Sequence, residues 1–397
     1  MKFRVIVGLL FLIYFATAFF SLKDNSFHND DVEMITKSAA IYERAGSLWE
    51  TDEVGRNHML LYLVMGAVHR IFGMTPVVFY LPLLILHALV FFLMRALAQR
   101  IGLDPMGANI SALFFLVLSV HFQIVGWIAE MGRLLMNVLS LASLLFFHRF
   151  RVSAQKMYLI TCCFLWFLAF HCSEEAIILP CLFLVYDFVI LKNNLFSNKD
   201  RRLFLSYVPF LAIALLMLFQ LILYKEGAAV YFSSNFQVID KIRGLSWTMA
   251  NLVIPRREFF PSFLMPTEWN RILFPLAFLG PLGIIFYLKR HSFFQDKSLL
   301  PIAFFSLLWF AITFTPFSLR PMGDWREYPS PRYLYMAMIG ISFLVGKIIQ
   351  ILLKGPARWE IRGGIILAAV YFYVLNVWTF NFMVNKLDQM SRVALPA

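Results

Sequence analysis

The sequence predicts an all-α protein, a polytopic membrane helical bundle of about eleven transmembrane helices. Of its 397 residues, 60% are hydrophobic and only 15% are charged, whereas soluble domains are about half apolar and about a quarter charged. The apolar residues form separate blocks of a length suited to crossing a bilayer. Basic residues concentrate in short segments between alternate blocks, as expected where those segments face the cytoplasm.

Eleven apolar blocks define the expected spans, and several are shorter than the ~20 residues of an ideal spanning helix. The first block begins with Lys2 and Arg4 and contains Ala16-Thr17-Ala18, so a removable signal peptide is an alternative to an uncleaved span. An uncleaved span is favoured because many further blocks follow it. The blocks run at about 5–22, 76–94, 107–125, 134–147, 157–171, 176–191, 203–224, 271–288, 299–317, 333–353 and 363–384.

Loop charge decides the orientation and the number of spans. With the N-terminus inside, the predicted inside segments hold 17 Lys and Arg in 55 residues, and the outside segments hold 16 in 123. Acidic residues are distributed the other way, with 4 in the inside segments and 18 outside. A twelfth span at 59–68 would invert every later loop, so 58–73 is interpreted as a helix on the outer surface.

The chain is expected to form a single membrane domain over 1–397, with no soluble domain. Two long outer loops, 23–75 and 225–271, are expected to carry juxtamembrane helices. The second loop contains the amphipathic stretch 239–254, which is closed by Pro255.

Composition argues against two classes of ligand. The net charge of +12 does not indicate nucleic acid, because the basic residues are not clustered on one element. The cysteines lie within or beside apolar blocks without metal-ligand spacing, so apolar packing explains them. A divalent metal is left open but not indicated, and the cofactor is unknown at this stage. The cysteines are Cys162, Cys163, Cys172 and Cys181.

Two adjacent carboxylates, Asp30 and Asp31, follow the first span. Carboxylates just outside a membrane suit a general base or a metal ligand. Asp30, before Val32, also suits the N-cap of a helix. The catalytic and the structural interpretation both stay open for this pair.

Other ionisable residues lie at the outer ends of later spans. Glu130 and Arg133 are three residues apart and would share a helix face, as a functional pair or as a local ion pair. Glu174 and Glu175 occupy a tight turn, where two like charges repel. One of them has a raised pKa, or both share a cation, or both reach water.

The loop before the tenth span, 320–335, contains three arginines and three tyrosines in sixteen residues. Arginine binds phosphate bidentately, and a tyrosine near the interface offers a hydroxyl. The alternative is an aromatic anchor with stop-transfer charges. The positive-inside rule explains basic residues on the cytoplasmic side, whereas these arginines lie on the predicted outer side. A site for lipid phosphate is therefore favoured.

The order of these motifs resembles the GT-C superfamily of polytopic glycosyltransferases, most closely the transmembrane O-mannosyltransferases and their bacterial relatives. The matching segments are Asp30-Asp31, Arg56 with His58–Gly73, Leu86-His87-Ala88-Leu89, Trp127-Ile128 through Gly132-Arg133, Ser173-Glu174-Glu175-Ala176 with Leu179-Pro180 and Tyr186-Asp187, the stretch 239–255, and Arg332-Tyr333-Leu334-Tyr335. Two positions depart from the family pattern: its Lys in the Ser-Lys-Glu turn is Glu174, and its Glu before Arg-Tyr-Leu-Tyr is Pro331. No repeat tail follows residue 397.

The resemblance implies a GT-C-like fold and a mannosyltransferase-like enzyme. Such an enzyme moves a sugar from a polyprenyl- or dolichyl-phosphate donor to an acceptor hydroxyl on the non-cytoplasmic face. The catalytic base would be Asp30 or Asp31. Acceptor or sugar would be positioned by Glu130, Glu175 and His58. The lipid phosphate would be bound by Arg133, Arg326, Arg332, Tyr333 and Tyr335.

Two other functions remain open at this stage. One is a transporter or flippase of lipid-linked or anionic cargo, although no internal repeat is visible and the charges lie at the outer surface. The other is a catalytically inactive GT-C-like scaffold, which the two departures at Glu174 and Pro331 keep in consideration. The short chain without repeats favours a bacterial inner membrane over the endoplasmic reticulum, with membrane lipid as a further partner.

Overall fold

Helices make up all the regular structure of the described chain. The computed structural model describes residues 2–43, 58–192, 205–224, 296–318, 331–354 and 359–394. The α-helices are α1 (Lys2–Leu22), α2 (Asn29–Ile41), α3 (Met59–Phe72), α4 (Pro76–Arg100), α5 (Pro105–Val117), α6 (Phe122–Gly126), α7 (Met131–Ser153), α8 (Lys156–Phe170), α9 (Leu179–Val185), α10 (Val208–Tyr224), α11 (Leu299–Ser318), α12 (Tyr335–Lys354) and α13 (Trp359–Ala394). Short 3₁₀ helices cover Ser119–His121, Ile128–Glu130, Glu174–Ile178 and Pro331–Leu334, and a π-helical turn covers Tyr186–Ile190.

The apolar helices make the chain an integral membrane protein, and the all-α membrane bundle that the sequence predicts is confirmed. Within the described ranges, five helices are long and apolar enough to cross a bilayer: Val5–Leu22, Pro76–Arg100, Ile128–Ser153, Arg332–Lys354 and Ile366–Asn385. Further predicted blocks correspond to shorter apolar helices at Lys156–Phe170, Val208–Phe219 and Leu299–Thr315. The predicted span 271–288 and outer loop 225–271 lie outside the described residues.

One predicted span, 107–125, is broken. α5 ends at Val117, and the axis turns by 52° between it and the following helical segment, Ser119–Gly126. A break within an apolar bundle frees backbone groups that must find partners inside the protein. The Asn376 side chain of α13 provides one, because its Oδ1 accepts the backbone N–H of Ser119 at 3.0 Å.

α12 is a central helix that packs between α5 and α11. Its side toward α5 carries Gly346, where a β-carbon would lie 2.6 Å from the Ser111 β-carbon and 2.7 Å from the Gly107 carbonyl oxygen. Both distances are shorter than real contacts, so the two helices approach as closely as they do because this residue has no side chain. Small residues at helix contacts allow such close approach in membrane bundles.

The segment predicted as the first outer loop contains two helices that pack against each other, α2 and α3. α3 has 14 residues, about 21 Å at 1.5 Å per residue, which is short of the ~30 Å bilayer core. Its pairing with α2 agrees with the predicted surface helix at 58–73. Of the interpretations left open for Asp30, the N-cap is wrong: α2 already begins at Asn29, with His28 as the N-cap residue.

We expect Gly346→Ala to destabilise the protein by about 1–3 kcal/mol, since the added methyl group overpacks the contact between α5 and α12. The measurement is the thermal unfolding midpoint of the detergent-purified protein. Gly8→Ala is the matched control, because a β-carbon at Gly8 of α1 meets nothing within 4 Å. Equal midpoints for both variants would contradict the close-packing interpretation.

Candidate functional site

Asp31 joins the start of α2 to the turn before α7. Its carboxylate is fully buried and uses both oxygens: Oδ2 accepts the His28 backbone N–H at 2.9 Å, and Oδ1 accepts the Ala129 backbone N–H at 2.8 Å. The first contact closes the capping box of α2. The second places the acidic segment directly beside Glu130. The side chain of Asp30, by contrast, is exposed.

Four charged side chains form a cluster that we call the outer charge cluster, after the side of the membrane that the loop charges predict for it: Glu130, Arg133, Glu175 and Arg332. Arg133 pairs with Glu130, one helical turn before it, and its Nε donates to Glu175 Oε1 at 2.9 Å. Arg332 Nη1 donates to the other Glu130 oxygen, also at 2.9 Å. Both glutamates are buried. The cluster therefore brings together three segments that are distant in sequence: the start of α7, the turn before α9 and the turn before α12.

Aromatic rings cover the two arginines of the cluster. The Arg332 guanidinium lies 5.2 Å from the Trp127 ring centroid and 5.1 Å from that of Tyr333. The Arg133 guanidinium lies 4.7 Å from the Tyr333 ring. Cation–π contacts of this kind hold a guanidinium in place without using its N–H donors.

Arg332 keeps donor capacity that the protein does not use. Its Nη2 donates to the Tyr333 hydroxyl at 3.3 Å, and its buried Nε has no hydrogen-bond partner among the described residues. Its side chain is 27% exposed, against 14% for Arg133. A buried donor without a partner is rare in proteins and calls for an explanation such as a ligand. An incoming anion would therefore reach Arg332 more readily than Arg133.

His58 supports the turn that carries Glu175. Its Nδ1 lies 3.0 Å from the Cys172 carbonyl oxygen, and the Leu60 N–H donates to the His171 carbonyl at 3.3 Å. The start of α7 approaches the same turn, because a β-carbon at Gly132 would lie 2.8 Å from the Cys172 oxygen. His58 therefore contributes to the site by holding the backbone of the turn that carries Glu175.

The structure places Tyr335 in a different cluster. Its buried hydroxyl lies 2.6 Å from His87 Nδ1, and its ring lies 4.5 Å from that of His121. The Tyr14 hydroxyl lies 3.3 Å from the other ring nitrogen of His87. This polar group sits in the bundle core beside the break after α5. The two remaining arginines, Arg326 and Arg56, lie outside the described residues.

Trp127 and Gln123 belong to the site, although sequence reasoning gave them no role. Gln123 Oε1 accepts the Arg332 backbone N–H at 3.3 Å. The Trp127 ring packs against the Arg332 guanidinium. The position of Trp127 three residues before Glu130 was the available signal for it. Within the described ranges, no group of three or more His, Cys, Asp or Glu is placed to hold a metal ion.

Burial governs the titration of the groups at the start of α2. It raises the pKa of Asp31 to about 7, although the two backbone N–H donors favour the carboxylate and oppose this rise. The neighbouring charges of Asp30 and Glu130 raise it further. Burial also lowers the pKa of His28.

Two solved structures are similar in fold to this chain. They are crystal structures of ArnT from Cupriavidus metallidurans, one bound to undecaprenyl phosphate and one in the apo state. Each matches with a TM-score of 0.52 over 98% of this chain and 78% of that chain, at 13% and 14% identity respectively. No protein-family model matches the chain, and no curated protein matches its sequence. The similarity establishes the fold, so the predicted GT-C-like architecture is confirmed.

We expect Glu130→Gln to destabilise the protein strongly, because Arg133 and Arg332 would lose a buried counter-charge. Breaking a buried ion pair from one side costs about 3–5 kcal/mol. The unfolding midpoint in detergent measures the loss. Glu33→Gln is the control, since Glu33 and its partner Lys37 are both exposed on α2 and such a pair contributes at most about 1 kcal/mol. A similar small effect of both changes would show that the cluster is not a buried charge network.

We expect Asp31 to make stability fall as pH rises from about 4 to 7. The folded protein keeps the Asp31 proton up to about pH 7, whereas the unfolded chain releases it near the ordinary value of 3.8. The folded state therefore binds more protons in this window, and its stability declines by up to about 1.4 kcal/mol per pH unit.

The measurement is the unfolding midpoint of wild type, Asp31→Asn and Asp30→Asn at several values between pH 4 and 8. Asp31→Asn should show the flatter profile, and Asp30→Asn should follow wild type. Parallel profiles for all three proteins would contradict a protonated, buried Asp31.

Proposed function

We propose that this protein is a glycosyltransferase that uses a sugar linked to a polyprenyl phosphate or dolichyl phosphate. The acceptor is a hydroxyl group on the non-cytoplasmic side of the membrane, and the sugar is mannose or a related hexose. The resemblance to O-mannosyltransferases supports this choice of sugar. We further propose the inner membrane of a bacterium as the location, with the active face toward the periplasm.

One observation carries the proposal: Arg332, with its unpartnered Nε, lies beside Arg133 in a GT-C-like bundle. A guanidinium matches phosphate geometry and keeps its charge at every physiological pH. The fold supports a lipid-phosphate ligand, because the similar ArnT structure contains undecaprenyl phosphate. The leaving lipid phosphate would therefore be stabilised by Arg332 directly, with Tyr333 as a neighbouring hydroxyl.

The acidic pair would supply the general base. Asp30 is exposed, so its carboxylate is able to meet an acceptor hydroxyl. Both oxygens of Asp31 are already engaged by backbone N–H groups. We therefore assign Asp30 as the base and Asp31 as the residue that fixes the acidic segment beside the outer charge cluster.

The reaction balances without a cofactor. Asp30 takes the proton of the acceptor hydroxyl while that oxygen attacks the anomeric carbon of the sugar. The bond between the anomeric carbon and the phosphate oxygen breaks, and its electrons leave with the polyprenyl phosphate. Arg332 stabilises the negative charge that develops on the leaving phosphate. Glu130 and Glu175 would orient the two arginines, and Glu175 and His58 would position the acceptor or the sugar.

We expect Asp30→Asn to lower the rate of sugar transfer by about 10²–10⁴-fold, the usual contribution of general base catalysis. The assay follows consumption of radiolabelled polyprenyl-phosphate sugars by the detergent-purified protein, with an extract of the source organism as acceptor. Glu33→Gln removes an exposed carboxylate from the same helix and should leave the rate unchanged. Asp31→Asn should also lower the rate, because Asp31 holds the acidic segment in place.

The outcomes separate the alternatives. Equal rates for wild type and Asp30→Asn would exclude Asp30 as the base while leaving the enzyme in place. If the wild-type protein consumed none of the donors, the proposed function would be overturned in favour of a transporter or an inactive scaffold.

A further inference from the structure

A groove lies between α4 and α7, at the ends of these helices opposite to the outer charge cluster. It has a volume of about 190 Å³. Its wall is apolar, and its rim carries Arg100 and Arg149. The apolar lining residues are Leu93, Ala96, Ala142, Leu145 and Phe146.

The two rim arginines differ from other arginines on the same helices. Arg95 of α4 donates to Asn109 at 2.6 Å, and Arg151 of α7 pairs with the buried Asp187 at 2.5 Å. Arg100 and Arg149 are exposed, and neither forms an ion pair with a carboxylate among the described residues. Arg149 lies over the Phe146 and Tyr158 rings at 5.7 and 6.0 Å. The positive charges of Arg100 and Arg149 are therefore available to an anion bound in the groove.

The position of the groove matches the headgroup level of one leaflet. Arg100 is the last residue of the span Pro76–Arg100, and Arg149 lies in the last two turns of the span Ile128–Ser153. Arg100 and Arg149 lie within 95–106 and 148–156, two of the basic segments that the charge pattern assigns to the cytoplasm. Basic pockets between transmembrane helices on this side bind anionic lipid headgroups.

We propose that this groove binds an anionic phospholipid of the cytoplasmic leaflet, with its phosphate between Arg100 and Arg149 and an acyl chain against the apolar wall. The charge of the rim selects a negative headgroup, and the apolar lining suits a hydrocarbon chain. This site lies apart from the outer charge cluster and does not depend on the proposed transfer reaction.

Native mass spectrometry of the full-length, detergent-purified protein tests the site with phosphatidylglycerol as the probe and phosphatidylcholine as the neutral comparison. We expect wild type to retain phosphatidylglycerol in a saturable complex. R100Q/R149Q should weaken that binding roughly thirtyfold, as expected for losing two basic groups near an anionic headgroup. K156Q/K192Q is the matched control, because both lysines are exposed in cytoplasm-assigned segments and neither lines the groove.

A second variant tests the apolar wall. A142L fills the groove without changing its charge, so it should also weaken phosphatidylglycerol retention, and an unchanged unfolding midpoint would show that the fold is intact. Equal weakening of phosphatidylglycerol retention by R100Q/R149Q and K156Q/K192Q would show that general surface charge causes the effect, and it would overturn the proposal. Retention of phosphatidylcholine as strong as that of phosphatidylglycerol would overturn it as well. Stronger retention of a polyprenyl phosphate than of phosphatidylglycerol would overturn it in favour of a donor-lipid site.

Discussion

The outer charge cluster is the interaction on which the arrangement of this end of the helical bundle depends. Removing four charges from water is costly, and the cost is offset only when each charge has an opposite partner with good geometry. Glu130 serves both arginines, and Arg133 serves both glutamates. The result is a chain of alternating charges in which no member is replaceable alone. Because its members come from three distant segments, the cluster fixes where α7, α9 and α12 begin relative to one another.

Asp31 connects the segment that contains α2 to the outer charge cluster. Its hydrogen bond to the Ala129 N–H is the direct polar link between the start of α2 and the residue before Glu130. The exposed Asp30 is thereby held close to the cluster without taking part in it. In the proposed reaction, this arrangement separates the two tasks of the acidic pair, since one carboxylate is committed to structure and the other is available to solvent and acceptor.

Local spacing predicted part of this site, and tertiary contacts decided the rest. The three-residue spacing of Glu130 and Arg133 is a helical property, so sequence alone placed them together. The turn with Glu174 and Glu175 left several interpretations open, because the partner of Glu175 is 42 residues away in the chain. Tyr335 shares a short motif with Arg332, yet Arg332 lies in the 3₁₀ turn and Tyr335 is the first residue of α12. The Tyr335 hydroxyl turns toward His87 in the core.

For the fold, too, local sequence predicted one part and tertiary contacts decided the other. Hydropathy located the apolar helices, because the length of an apolar block is a property of the sequence itself. The break within 107–125 was not predicted, since neither proline nor glycine marks it at Leu118 and Ser119. The partner that makes the break tolerable, Asn376, lies 257 residues away. Such a contact follows from how the helices pack, which the hydropathy of a single segment does not specify.

The two departures from the family pattern acquire a physical meaning in this geometry. Pro331 opens the 3₁₀ helix Pro331–Leu334, a position where the N–H that proline lacks has no helical partner in any case. The carboxylate for Arg332 comes from Glu130 instead. The outer charge cluster balances two arginines with two glutamates. Glu174 adds no positive charge to this balance, so in the proposed enzyme a lipid phosphate would meet no excess of positive charge. In the proposed enzyme, phosphate recognition therefore depends on directed donors, above all the unpartnered Nε of Arg332, rather than on net charge.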